Sequence, residues 1–405
     1  MKSIRELYKI GYGPSSSHTM GPQKACEIFK SRYPDAVRFR VILYGSLAAT
    51  GRGHLTDQII EKTLGNVTVV FDDTFVLWHP NTMDIFGYSA DEKQTYYLRA
   101  YSVGGGSIRI ENETTDELQD VYPHQTFEDI KQYCLEHQLR LYQYVEKCEG
   151  QEIWDFLNQV YETMMSSIDR GLNAEGILPG ELRVERKAKQ LLTPAMTIEP
   201  PEITESRLVS AYAYACAEEN ASGHIVVTAP TCGSSGIVPS VLKYMKDRHK
   251  FRKQTCLNAL ATAGLIGNII KHNASISGAI AGCQAEVGSA SAMAAAMHAE
   301  LFRLSLDQIE YASEISLEHH LGLTCDPVLG YVQIPCIERN AVGALRAIDA
   351  CGLAFFLAKS RKISLDMVID TMYRTGQDIH TKYRETGIGG LALLYGKYKN
   401  EGKKG

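Results

Sequence analysis

Residues 259–301 read ALATAGLIGNIIKHNASISGAIAGCQAEVGSASAMAAAMHAEL, the most apolar stretch of the chain. Lys271, His272, Asn273, Gln284 and Glu286 interrupt it. A membrane span needs about 20 apolar residues with few or no charges, so this pattern predicts buried helices of small residues instead. Helical spacing continues on both sides, at 154–168, 205–219, 255–270 and 365–373, and strand signals almost vanish from Glu152 onward. Upstream the composition changes. Runs rich in β-branched and aromatic residues at 38–44, 66–71 and 95–102 alternate with turns, and helical segments follow Pro22 and occupy 56–64.

The expected fold class is therefore an α+β N-terminal domain with a mainly antiparallel sheet, followed by an all-α domain. The domains are expected at 1–147 and 148–405. The joint falls within 144–151, because 126–135 reads as a helix closing the first domain. Residues 192–201 contain three prolines and read as a loop inside the helical domain.

Composition excludes several classes. With 405 residues, 44% apolar, 22% charged and a net charge of −5, the chain has the make-up of a soluble globular protein of two or three domains. The absence of a basic block argues against nucleic acid. No charged segment followed by an apolar run opens the chain, so no signal peptide is expected. Ten cysteines without a short-range framework suit a reducing cytoplasm.

Four segments could carry chemistry. Gly11-Tyr-Gly-Pro14-Ser15-Ser16-Ser17-His18-Thr19 gathers hydroxyls at a turn opening a helix, a setting suited to a carboxylate. Tyr44-Gly-Ser-Leu-Ala-Ala-Thr50-Gly-Arg52-Gly-His54-Leu-Thr-Asp57 leaves a strand through a Gly-rich turn, but Walker A spacing and its Lys are missing. Thr231-Cys232-Gly233-Ser-Ser235-Gly236 is a small-residue turn that suits an anionic group, the phosphate of pyridoxal phosphate included. That rival requires a Schiff-base lysine, for which Lys271 is the candidate. The plainer expectation for Lys271 is a solvated charge at a helix end.

The fourth feature is Cys283, Cys325 and Cys336, in the polar surroundings Ala-Gly-Cys283-Gln, Leu-Thr-Cys325-Asp-Pro and Ile-Pro-Cys336-Ile-Glu-Arg. Three thiolates can hold a cubane iron–sulfur cluster and leave one iron open as a Lewis acid. Three buried free thiols or a zinc site are the alternatives, although no CxxC pair is present.

Taken together, Gly13-Pro-Ser-Ser-Ser-His-Thr19, Tyr44-Gly-Ser-Leu, Gly51-Arg-Gly-His-Leu-Thr-Asp57, Ala229-Pro-Thr, Asn273-Ala-Ser-Ile-Ser-Gly278, Gly282-Cys-Gln, Leu321-Gly-Leu-Thr-Cys-Asp-Pro327 and Pro335-Cys-Ile-Glu-Arg-Asn340 resemble the iron–sulfur-dependent bacterial L-serine dehydratases, over nearly the whole chain. The resemblance implies a 4Fe–4S cluster on Cys283, Cys325 and Cys336, an α+β domain and a helical catalytic domain on one chain without an ACT-type regulatory domain, and a homodimer. It implies conversion of L-serine to pyruvate and ammonia. His18 or His54 is then the expected catalytic base or proton carrier. Ser15, Ser16, Ser17, Thr19, Thr231, Cys232, Gly233, Asn273 and Gln284 are the expected substrate-binding residues. The same chemistry could serve L-cysteine or L-threonine, and a serine-binding sensor would show the fold without turnover.

This chain departs from the family pattern in places. Cys232 comes early in its loop, with Ser235 at the later place that commonly holds Cys, and His320 stands where Asn is common. Members commonly end in a cysteine that returns to the open iron, whereas the last cysteine here is Cys351. The cluster is therefore expected to be more open to oxygen than usual.

Overall fold

Apolar residues recur along Ala36–Tyr44 on the face that meets a helical layer, and this strand is the second of a five-stranded sheet. The computed structural model describes residues 1–401 apart from 73, 75–78, 92, 94 and 114–118. The strands are β1 (Ile10–Tyr12), β2 (Ala36–Tyr44), β3 (Val67–Asp72), β4 (Thr82–Ser89), β5 (Thr95–Gly104), β6 (Ser107–Ile110) and β7 (Ile225–Val227). The sheet order is β3-β2-β4-β5-β6, and only the β2–β3 pair is parallel. A parallel pair needs a crossover, here supplied by helices Gly45–Thr50 and Thr56–Leu64. Phe29 of helix Gly21–Arg32 and Ile59 and Ile60 of helix Thr56–Leu64 share a core with Phe39, Val41, Leu43, Ile85 and Leu98.

The helical half is built around Ser289–Leu301, every residue of which is buried. A helix apolar all round belongs in a core. Helices Lys253–Asn273, Ile237–His249, Leu306–Glu318 and Cys336–Leu357 surround it. Residues 336–360 are long and apolar enough to cross a membrane by length and composition. Here, though, Ala341, Ala344, Ala347, Ala350 and Ala354 pack inward against the other helices. The expected helices at 154–168, 205–219, 255–270 and 365–373 correspond to Ile153–Asn173, Pro201–Ala221, Lys253–Asn273 and Leu365–Asp378. The irregular stretch ends at Pro200.

One expectation changes. Helix Phe127–Glu136 does not close the sheet domain. Phe127, Ile130, Leu141, Tyr144 and Val145 are buried with Ile4, Leu7, Tyr8, Leu260 and Ile266 in the helical core. Each such side chain contributes about 1.5–3 kcal/mol on burial. Asp366 accepts hydrogen bonds from the amides of Phe127 and Glu128, at 2.9 and 3.0 Å, fixing that helix to the same body. The first eight residues thus start in the helical half. β1 then pairs antiparallel with β7, so the chain enters the sheet region from the junction between the halves. That pairing positions the turn at Pro14–Thr19.

Candidate active site

A cavity of about 290 Å³ lies at this junction. Pro14–Ser17 and Val103–Gly105 line it from the sheet side, and Thr231–Gly233, Cys283, Cys325 and Cys336 line it from the helical side. Each wall can be built from its local structure.

On the helical side, Cys283 follows Gly282, whose φ of +73° suits glycine, and precedes the turn Gln284–Gly288 that feeds helix Ser289–Leu301. Cys325 lies in an extended segment whose amide donates to the Tyr383 carbonyl and whose carbonyl accepts from the Glu385 amide, both at 2.8 Å. Cys336 opens helix Cys336–Leu357, where the helix dipole favours a thiolate. Glu286, three residues beyond Cys283, brings Oε2 to 3.8 Å from Cys283 Sγ and 3.9 Å from Cys325 Sγ. Its Oε1 accepts the Thr231 hydroxyl at 2.7 Å.

Charge is crowded on this wall. Burial raises the pKa of Glu286, and burial together with Glu286 pushes Glu385 up to about 8. The hydrogen bond to Cys283, burial and nearby carboxylates hold Cys325 well above the usual thiol range, and burial beside Cys283 does the same for Cys336. Buried acids that resist ionisation suit a multivalent cation, which reverses that preference. The shape agrees with the charge. A Cβ on Gly278 would lie 2.4 Å from Glu286 Oε2 and 3.3 Å from Cys325 Sγ, so glycine keeps the space beside the thiols open. The residues fit a metal cluster.

The opposite wall is closely bonded. Ser15 Oγ accepts from the His18 amide at 3.1 Å, and Thr19 Oγ1 accepts from the Ser15 amide and donates to the His54 carbonyl. His18 is buried, its Nδ1 2.9 Å from Ser17 Oγ and its Nε2 2.9 Å from Ser46 Oγ. His54 stacks on it with ring centroids 4.5 Å apart. Because His54 Nδ1 faces the Thr50 carbonyl at 3.0 Å, that nitrogen carries the hydrogen, and buried Nε2 keeps an unpartnered lone pair. Burial lowers His54 to about 4, and burial plus His54 lowers His18 well below its ordinary value. Both rings are neutral at pH 7.

The expected site residues divide accordingly. Ser15, Ser16, Ser17, Thr231, Cys232, Gly233 and the three cysteines meet at the cavity. His18, His54 and Thr19 lie one layer behind the serine turn. Gln284 is buried away from the cavity, where it accepts from the Gly322 amide at 3.0 Å and donates to the Met372 carbonyl at 3.3 Å, bracing the Cys283 turn. Asn273 is exposed, its amide donating to the carbonyls of Gln125 and Ile269. His320 is buried behind Gly288, with Nδ1 on the Ser316 carbonyl.

Sequence reasoning missed Glu286 and Glu385 as cavity residues, and it raised Lys271 only as the rival cofactor's Schiff-base lysine while favouring a solvated charge. The three-residue spacing from Cys283 could have found Glu286. Glu385 has no local signal.

Comparison with known proteins matches the geometry. Residues 3–68 match the family model for the serine dehydratase beta chain and residues 92–392 that for the alpha chain. The chain is 39% identical to the L-serine dehydratase of Haemophilus influenzae and 40% identical to L-serine dehydratase 2 of Escherichia coli, in each case over 97% of this chain and 99% of the relative. It is 38% identical to the L-serine dehydratase of Streptomyces coelicolor, over 96% of this chain and 98% of that one.

Proposed function

This chain belongs to the serine dehydratase family and is an L-serine ammonia-lyase, and from that premise we propose that it works with a 4Fe–4S cluster held by Cys283, Cys325 and Cys336. One observation carries the proposal: three thiols from distant segments line one cavity, beside a glycine that leaves room for more than side chains. When bound, such a cluster supplies a Lewis-acidic iron that eases departure of the β-hydroxyl.

The chain's own residues do the rest. The Ser15–Ser17 turn and the Thr231–Gly233 loop offer hydroxyls and amides to the carboxylate and amine of L-serine. Gln284 positions the Cys283 turn from behind. His18 is the base. In this mechanism His18 is the tautomer whose Nε2–H donates to Ser46 Oγ, which leaves the Nδ1 lone pair to accept the Ser17 hydroxyl hydrogen 2.9 Å away on the cavity side. A proton leaving the substrate's α-carbon reaches His18 Nδ1 through Ser17 Oγ. His54, with its free Nε2, is the second acceptor in the stack. Loss of water leaves aminoacrylate, which tautomerises and hydrolyses to pyruvate and ammonia.

The family name covers a small-molecule substrate. A cytoplasmic enzyme without nucleic-acid or membrane partners is the accompanying reading. A homodimer is supported by Leu353, Phe355 and Phe356, apolar side chains 49%, 54% and 80% exposed on one helix.

The test is pyruvate release from L-serine by anaerobically handled protein beside an air-exposed aliquot. The expected result is activity that air destroys. Equal activity in both would remove the cluster from the mechanism.

A further inference from the structure

Lys271 is the one lysine or arginine on the cavity wall among the described residues. On the last turn of helix Lys253–Asn273, it reads from sequence as a solvated charge. The structure shows otherwise. The residue is half-buried, and Nζ donates to the Glu6 carbonyl at 2.8 Å. Burial lowers its pKa, Glu6 opposes that shift, and Lys9 adds to it.

An ammonium has three donors, so the Glu6 carbonyl leaves two uncommitted by that bond. The same bond holds Nζ against the first eight residues, which are packed into the helical core. A lysine held this way loses little freedom on binding a ligand. The remaining ionisable groups on the wall are acids: Glu286, Glu385 and the thiols Cys232, Cys283, Cys325 and Cys336. The Arg339 guanidinium stands behind the thiols, engaged with Cys283, Asp326 and the Thr324 carbonyl, so among the residues lining the cavity Lys271 alone offers a cation to a substrate carboxylate, while the substrate's own ammonium is welcome beside the carboxylates.

We propose that Lys271 binds the α-carboxylate of the substrate and so restricts the site to free amino acids, excluding amines, amides and peptide-linked serine. The proposal rests on the reading that this cavity takes L-serine. It makes Lys271 a binding residue, with no covalent role.

The experiment compares anaerobic wild-type holoenzyme with K271Q and K271R. A charged hydrogen bond lost on binding corresponds to about a 10- to 100-fold change. K271Q is expected to raise KM for L-serine by about that factor with kcat within about threefold, since the interaction is made equally before and during reaction. K271R is expected to recover most of the loss. As inhibitors, L-alanine should outcompete L-alaninamide for the wild type, and K271Q should lose that preference.

An unchanged KM in active K271Q overturns the proposal. So does a K271Q protein that loses cofactor absorbance or melts well below the wild type, because the lysine then serves only to anchor the N-terminal segment. A wild-type protein that releases no pyruvate strikes the functional reading itself, which separates the two failures.

Discussion

The two walls of the cavity differ in how far their polar groups are already paired. On the serine–histidine wall nearly every donor has an acceptor: Ser15, Ser17, Thr19, Ser46 and both nitrogens of His18 are bonded, with His54 Nε2 left open. On the thiol wall, burial raises Glu286, and Glu286 in turn disfavours ionisation of Glu385 and Cys325. A closely bonded network fixes positions and proton directions before substrate arrives. A crowded acidic set waits for a cation to settle it. One wall is preorganised by itself, and the other is completed by its cofactor.

Breaking the thiol wall should have the largest effect. C325S removes one of the thiols that fit the cluster, and pyruvate release is expected to fall by more than about 10³-fold together with the cofactor absorbance. Retained absorbance with the full complement of iron would show that Cys325 is not a ligand. The histidine wall should break differently. H18A is expected to cost about 10²- to 10⁴-fold in kcat, as for loss of a general base, with absorbance intact. S17A should produce a smaller loss of the same kind, since it severs the path from the cavity to His18 Nδ1. If S17A is as active as the wild type, the proton does not travel through that hydroxyl.

The smallest effect sharpens the comparison through pH. His54 titrates at about 4 in the fold and near 6.5 unfolded, so it is buried neutral. Its stabilising contribution is fully present above pH 6.5 and is lost as pH falls toward 4, because only the unfolded chain takes up the proton. Glu385 acts in the opposite sense between about pH 4.5 and 8, since its folded pKa is raised. A difference measurement cancels it. Thermal melts of wild type and H54Q, apo and at stepped pH, should show the wild type losing about 1.4 kcal/mol per pH unit relative to the variant below 6.5. A difference independent of pH would mean that His54 is not held neutral by burial.

Much of this molecule was legible in the chain. The small-residue run at 259–301 predicts central buried helices, and helix Ser289–Leu301 is wholly enclosed. Alternating runs predict β2, β3 and β5. The short β7, a strand of three residues, gives no periodic signal of its own. Helix Phe127–Glu136 packs into the helical core, which its sequence does not reveal, because an apolar face shows only that something covers it, not what does. The motif around Asn273 predicts it at the site. On the last turn of its helix it points outward instead, while Ser275 and Gly278 of the same motif reach the cavity.

Residue type and local order determined which groups could do chemistry here: thiols in polar, Gly- and Pro-bearing segments, hydroxyls at a helix start, and imidazoles near glycine turns. These are short-range properties, set by backbone conformation and by each side chain's own donors and pKa. Only the tertiary structure decided which of them meet. Cys283 and Cys325 are far apart in the chain, Glu385 lies beyond both, and Lys271 faces the cavity because Glu6 anchors it there. Such encounters depend on how whole helices pack, and packing is chosen by buried area summed over many residues, which no single segment encodes.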